Sequence, residues 1–510
     1  MARPALVRIA TASPALALAT VCLLLHLIAN RHYGVFRDEL YFIVCGLHPA
    51  LGYVDQPPLI PLIAATSYRL FGEALTPLRL APALAMSATV ALTADFARVL
   101  GGGRFAQALA GLCALAAPIL LVDGLLLFTD MLQPLSWLAC AYLLTRIARG
   151  GDARLWLAIG AVVGVSLWSK YLIAFYVAGL AVGIVATPLR RQLATPWPWA
   201  GAALTLAIIA PNLVWQASQG FPFLEVGSAG AGGKNVALSP LAFFATQLLF
   251  VGPFLAPVWI AGLWRLASAR DAPEGRALAV AYFMTAVLFI FAHGKAYYLA
   301  PAYPALFASG GVWCERALRP RVARVAALAT IVFAGLATAP FVLPVLRPQT
   351  LVAYSGLLGI SPAATATERT RQAALPQHFA DMFGWREMAA EVARVYRALP
   401  EDDRRRAVFF GRNYGEAAAI DIYGPALGGP TAISGHNQYF LWGPRGFDGS
   451  VVIALGPPAA KFTDYFESVE IAGRIENAYA MPSETGLTVY VLRRPKQPLA
   501  TLWSGLKHYE

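Results

Sequence analysis

Eleven apolar stretches divide the first 345 residues, with short arginine clusters between them. They run at about 12–30, 77–97, 105–122, 131–145, 155–169, 171–188, 199–216, 241–264, 277–293, 297–314 and 325–345. Each approaches the length of about 20 residues that crosses a bilayer as a helix. Backbone in hydrocarbon must satisfy its own hydrogen bonds, so such a chain is expected to be a polytopic α-helical membrane protein with about eleven transmembrane helices. Charge agrees: only 13% of residues are charged and 58% are hydrophobic, with mean hydropathy +0.57, against about 25% charged in a soluble domain. The division at Ser169-Lys170 is the narrowest, a single turn between two spans.

The basic residues orient this map. With the N-terminus inside, sixteen Lys/Arg fall on the cytoplasmic side, from Arg3 and Arg8 to Arg324, against seven in outer loops: Arg31, Arg37, Arg69, Arg79, Lys170, Lys234 and Lys295. That bias places the N-terminus in the cytoplasm and, with eleven spans, the C-terminal segment outside. The first run is too long for a signal-peptide core and is expected to stay as a helix. The net charge of +12 is distributed as this topology requires, which argues against nucleic-acid binding. Five cysteines, scattered within apolar runs, follow neither a disulfide framework nor a zinc knuckle and are expected to be small buried residues.

The division predicts a transmembrane module over 1–345, with its first outer loop at 31–76, and an extracytoplasmic α/β domain over 346–510. In the latter, "EMAAEVARVYRALPEDDRRR" reads as an amphipathic helix ending in a charged turn. "AVFF", "TAIS", "VVIAL" and "LTVYVL" read as short buried strands, with helix-like stretches between them. "GGGR" at 101–104 lacks the Lys-Ser/Thr of a phosphate loop and is expected to be a turn. "GSAGAGGKN" at 227–235 reads as a flexible outer loop.

The outer loops carry the chemistry. Asp38 and Glu39 open an expected interfacial helix, and Asp55 and Gln56 precede a second one that starts at Pro57-Pro58, where free backbone N–H groups favour anions. Asp123 and Asp130 bracket the third outer loop, Lys170 lies in "WSKYL", and His293, Lys295, Tyr297 and Tyr298 lie in "HGKAYYLAPAYP". Ionisable groups flanked by apolar helix at one membrane face are functional candidates. Carboxylates suit activation of an acceptor hydroxyl, and lysines with tyrosines suit a phosphate leaving group.

"RDELY", "GYVDQPPL", "TD" at a helix start, "SKY" and "GKAYYLAPAYP" together resemble the glycosyltransferases of families 39 and 83, over about residues 30–310. These families include protein O-mannosyltransferases and lipid A aminoarabinose transferases. The resemblance implies the C-type glycosyltransferase (GT-C) membrane fold in a bacterial inner membrane. It also implies a polyprenyl-phosphate-linked sugar donor and transfer, with inversion, to a lipid, glycan or protein acceptor on the outer face. Carried over, Asp38 is the catalytic carboxylate with Glu39 its partner, and Asp130 is the second acidic position. Lys170, Lys295, Tyr297 and Tyr298 bind the donor phosphate, while Arg37, His48, Tyr53, Asp55, Gln56 and His293 complete the site. The aminoarabinose transferases carry an acid and then a lysine before the double proline; Gln56 replaces that lysine here, which weakens lipid A as the acceptor. "GRNYGEAAAIDIYG" and "SGHNQYFLWGP" resemble bacterial C-terminal domains of the family, making His436, Asn437, Tyr439 and Trp442 acceptor contacts.

Two other functions share parts of this pattern. An oligosaccharide ligase or polymerase would use the same lipid-linked donor. A lipid-linked glycan flippase or transporter would place polar residues at mid-membrane in duplicated halves, whereas these charges gather at one face and no repeat is visible. A divalent ion on Asp55 with His48 or His293 is a further expectation, although no tight ligand spacing supports it.

Overall fold

The computed structural model describes residues 13–230, 232, 236, 238–361, 371–456 and 458–510. Arg3, Arg8, Lys234 and parts of the 227–235 loop lie outside them. The chain clusters into two compact units. One comprises Met1–His32, Thr76–Val214 and Asn235–Val345; the other comprises Tyr33–Leu75, Trp215–Lys234 and Leu346–Glu510.

The first unit is helical. Among the described residues, Leu80–Val99, Pro196–Ser218, Pro273–Phe291 and Arg321–Phe341 are each long and apolar enough to cross a membrane. Three more stretches are bent pairs: Arg104–Ala116 with Pro118–Leu125 at 65°, Ile173–Val185 with Pro188–Ala194 at 103°, and Pro240–Val251 with Pro253–Ser268 at 96°. The straight spans expected at 105–122 and 241–264 are therefore broken. Each second segment opens on a proline, which lacks the N–H that would continue the helix and disfavours helical backbone before it. At Pro253 the preceding Gly252 adopts φ +100°, a conformation glycine tolerates without strain. Leu155–Leu167 and Ile173–Val185 are separate helices, as the turn at Ser169-Lys170 requires.

Close approach of backbones holds these helices together. A Cβ on Gly160 would lie 2.2 Å from the carbonyl oxygen of Gly201, and one on Gly310 would lie 1.9 Å from that of Val258. Small residues at such crossings give membrane helices their packing contacts, where lipid offers no hydrophobic drive between helices. Trp137 stacks on Tyr176 at 4.4 Å, and all five cysteines are buried thiols.

The second unit holds a five-stranded sheet ordered β2-β1-β3-β5-β4. β1 (Ala407–Gly411), β2 (Ala432–Ser434), β3 (Val451–Gly456) and β5 (Leu487–Pro495) are the four apolar runs expected as strands. β1 pairs parallel with both β2 and β3, while β5 runs antiparallel to β3 and β4. β4 (Phe466–Ile475) falls in a stretch that reads as helix-like; it is an edge strand whose largely exposed, charged residues hide its apolar pattern. The expected charged turn is a six-residue helix, Glu401–Arg406, with three acids in its first turn and three arginines in its last, which complements the helix dipole at both ends. Trp385–Ala398 is the amphipathic helix expected before it.

Candidate active site

In the second unit, the helix Arg37–Leu47 carries both acids in its first turn. The Glu39 carboxylate turns back to accept the Phe36 N–H at 2.9 Å and is buried. It thus caps the helix. Asp38 points the other way: its Oδ1 accepts the Tyr414 hydroxyl at 2.8 Å and Arg37 Nε at 3.3 Å, and 28% of its side chain stays exposed. Arg37 lies over the Tyr414 ring at 5.5 Å. Gly415 makes room for this arrangement, because a Cβ there would come within 2.5 Å of the Arg37 side chain.

Asp55 is held by two further residues. Its Oδ1 accepts the Tyr41 hydroxyl at 2.8 Å and its Oδ2 accepts Asn437 Nδ2 at 3.2 Å. Burial pushes its carboxyl up to about 6; the Tyr41 hydrogen bond opposes this, and the Asp38 charge adds to it. The rings of Tyr41 and Tyr414 pack at 4.5 Å. Two carboxylates are therefore joined through two packed tyrosines, one hydroxyl on each acid.

The sheet explains where these partners come from. Tyr414 opens the helix Tyr414–Leu427 after β1, capped by Asn413, whose side chain accepts the Glu416 N–H at 3.0 Å. His436 and Asn437 follow β2. Ligand sites in parallel α/β sheets lie beyond the carboxyl ends of strands, and these three residues occupy that position on neighbouring strands. Asn437 adopts φ +46° and ψ −127°, an uncommon conformation for a residue other than glycine.

Other expected residues take more local partners. Gln56 is buried, and its carbonyl accepts the Tyr53 N–H at 3.0 Å; the Tyr53 hydroxyl donates to the Cys45 carbonyl at 2.8 Å. Exposed His48 bonds the Val44 carbonyl through Nδ1 at 3.0 Å and packs on Trp442 at 4.8 Å. The Tyr439 hydroxyl donates to Asp421 at 2.9 Å, and Arg445 sits 5.3 Å over both Tyr439 and Trp442.

In the first unit, Lys170 Nζ meets Asp130 Oδ2 at 2.7 Å and lies over the Tyr298 ring at 4.5 Å. Tyr297 packs edge-on to Tyr298 at 4.9 Å, and Lys295 lies 5.9 Å over the Tyr297 ring. Buried Asp123 lies near the end of the helix Pro118–Leu125. His293 sits at φ +50° in the turn after Pro273–Phe291. Asp130, Lys170 and Tyr298 thus form one cluster, joined through Tyr297 to Lys295.

Tyr41, Tyr414 and Gln438 are not singled out by the sequence. Tyr41 stands three residues after Asp38, and Tyr414 lies in "GRNYGEAAAIDIYG", which stands out only as a whole segment. The Gln438 side chain accepts the Val54 N–H at 3.1 Å, and its backbone N–H donates to the Tyr41 hydroxyl at 3.2 Å.

The sequence matches the family profile described as dolichyl-phosphate-mannose-protein mannosyltransferase over residues 55–215. No curated protein matches the chain significantly in sequence. Its structure is similar to that of ArnT from Cupriavidus metallidurans bound to undecaprenyl phosphate, with TM-score 0.63, 15% identity, and coverage of 93% of this chain and 97% of that one. The same enzyme in its apo state gives TM-score 0.62 at 16% identity, with the same coverage. The mycobacterial arabinofuranosyltransferase AftD gives TM-score 0.50 at 14% identity over 94% of this chain and 41% of the other.

Proposed function

The chain has the C-type glycosyltransferase fold and resembles families 39 and 83, and from that premise we propose that it transfers a sugar from a polyprenyl-phosphate donor to a hydroxyl acceptor. The reading places the protein in a bacterial inner membrane with its N-terminus in the cytoplasm. Transfer then occurs on the outer face, and the 346–510 domain selects a lipid, glycan or protein acceptor.

The observation that carries it is the Asp38 carboxylate, partly exposed and held at 2.8 Å by Tyr414. An aligned acceptor hydroxyl gives its proton to Asp38 as its oxygen attacks the anomeric carbon. The bond from that carbon to the phosphate oxygen breaks on the opposite face, so configuration inverts. The family resemblance assigns the charge of the leaving polyprenyl phosphate to Lys170, Lys295 and the hydroxyls of Tyr297 and Tyr298. Arg37 Nε, 3.3 Å from Asp38 Oδ1, orients the base. Gln56 offers an uncharged amide where the aminoarabinose transferases place a lysine, which favours an acceptor other than lipid A.

Membranes supplied with labelled polyprenyl-phosphate sugar test the proposal. Wild type should transfer label, and Asp38→Asn should lose transfer while folding normally. Transfer that persists in Asp38→Asn moves the base to another acid. Absence of transfer by the wild type from any prenyl donor overturns the enzyme in favour of a lipid-linked glycan flippase.

A further inference from the structure

One group of metal-ligating side chains lies outside this chemistry. His436, His508 and Glu510 bring one ligand atom each within 4.8 Å of one another. His436 is buried after β2, while His508 and Glu510 stand on the C-terminal tail. The three come together because the tail is built onto the loop after β2. The His508 N–H donates to the Gly435 carbonyl at 2.9 Å, the Asn437 N–H donates to the His508 carbonyl at 2.9 Å, and the Glu510 N–H donates to Asn437 Oδ1 at 3.0 Å. Gly435 is needed for that approach, since a Cβ there would lie 1.9 Å from the Leu506 carbonyl oxygen. Tyr509 anchors the tail edge-on against Phe440 at 5.9 Å. The backbone thus fixes where the three side chains start, before any ion binds.

The donor set is two imidazoles and one carboxylate. That combination suits Zn²⁺, which takes histidine nitrogen and carboxylate oxygen at about 2.0–2.2 Å in a tetrahedral arrangement. A tetrahedral ion would set its ligands about 3.4 Å apart on those bond lengths. His508 Nε2 and Glu510 Oε1 are already 3.2 Å apart, and the two imidazole rings lie 4.9 Å centroid to centroid. His508 is exposed and Glu510 partly so, so rotation of these two side chains suffices to close the set on His436. The Tyr414 N–H donates to His436 Nδ1 at 3.4 Å, at the long end of hydrogen-bond distances.

We propose that His436, His508 and Glu510 form a Zn²⁺ site with a fourth position open to water, and that the ion clamps the tail onto the loop after β2. The clamp bears on Asp55, because Asn437 Nδ2 contacts both Asp55 at 3.2 Å and the Glu510 carbonyl at 3.0 Å. The ion is structural, and its ligand set does not include Asp55, His48 or His293.

The test uses the full chain in detergent, stripped with a chelator and titrated with Zn²⁺, with bound metal counted by mass spectrometry. Wild type should bind one ion, and Co²⁺ in its place should give the intense visible bands of tetrahedral coordination. His508→Ala and Glu510→Gln, both at solvent-facing positions, should each weaken binding by about a hundredfold or more, beyond the 10–100-fold typical of losing an outer partner of a ligand. Unchanged affinity in both variants overturns the site and leaves His508–Glu510 as a plain ion pair. So does a wild type that binds no Zn²⁺ at micromolar concentration.

Discussion

The Tyr414 hydroxyl rests 2.8 Å from Asp38 Oδ1, although 376 positions separate the two residues in the chain. The acid sits in the first turn of the helix Arg37–Leu47 and the tyrosine at the head of the helix Tyr414–Leu427. Both belong to one compact unit, so the sheet is part of what presents the carboxylate.

Tyr414→Phe tests that relationship directly. The ring still packs on Tyr41, so the change removes one hydrogen bond and little else. Its cost in stability should be about 1 kcal/mol, a small shift in thermal midpoint. Turnover should fall about tenfold, equivalent to roughly 1.4 kcal/mol of lost orientation, with donor KM nearly unchanged. A KM effect without a kcat effect would argue that Tyr414 binds substrate instead of holding the base.

Asp55 predicts a pH dependence of stability. Its carboxyl titrates at about 6 when folded, against 3.8 for an unperturbed aspartate. Between those values the unfolded chain has lost the proton while the folded chain keeps it. Stability therefore falls as pH rises through this window, and the full cost is present above about 6. At about 1.4 kcal/mol per pH unit the cost is at most on the order of 3 kcal/mol, and less because Asp55 retains some exposure. Thermal melts at pH 4 and pH 7 should show this difference in wild type and a flatter profile in Asp55→Asn.

Asn437 separates backbone strain from side-chain contact. Glycine accepts φ +46° freely, so Asn437→Gly should relieve about 1 kcal/mol of strain while losing the side-chain hydrogen bonds to Asp55 and Glu510. Asn437→Ala loses the same bonds and keeps the strain. Both should lower transfer to a similar extent, but only the alanine variant should melt clearly earlier. Equal melting of the two would show that Asn437 is not strained.

Much of this architecture is legible in the sequence, and the parts that are not share a cause. Apolar runs and composition point to a polytopic helical membrane protein, because each is a local or compositional signal, and the ordered motifs point to the GT-C fold through the families they resemble. The bends at Pro118 and Pro253 are visible as prolines within apolar runs, but hydropathy averages over them. β4 is hidden because an edge strand with Glu467, Glu470 and Arg474 need not show an apolar face. Asp38, Asp55, Asp130 and Lys170 stand out as charges beside hydrocarbon. Tyr41 and Tyr414 do not, since a tyrosine near an apolar helix is ordinary and only the fold supplies its carboxylate partner.

Lys170 and Asp130 offer a test confined to the first unit. They meet at 2.7 Å, with Asp130 9% exposed and Lys170 24% exposed. Removing one member of a buried pair leaves the other charge without compensation, at a cost of about 3–5 kcal/mol, whereas removing both is far milder. Lys170→Met should therefore destabilise the protein strongly, and Lys170→Met with Asp130→Asn should recover most of the loss. Thermal melts of wild type, the two single variants and the double variant give the coupling energy. Activity separates the structural from the chemical role: if Lys170 also meets the donor phosphate, the double variant regains stability but not donor affinity. Recovery of both would restrict Lys170 to neutralising Asp130, and Lys295 with the two tyrosines would then carry the leaving group.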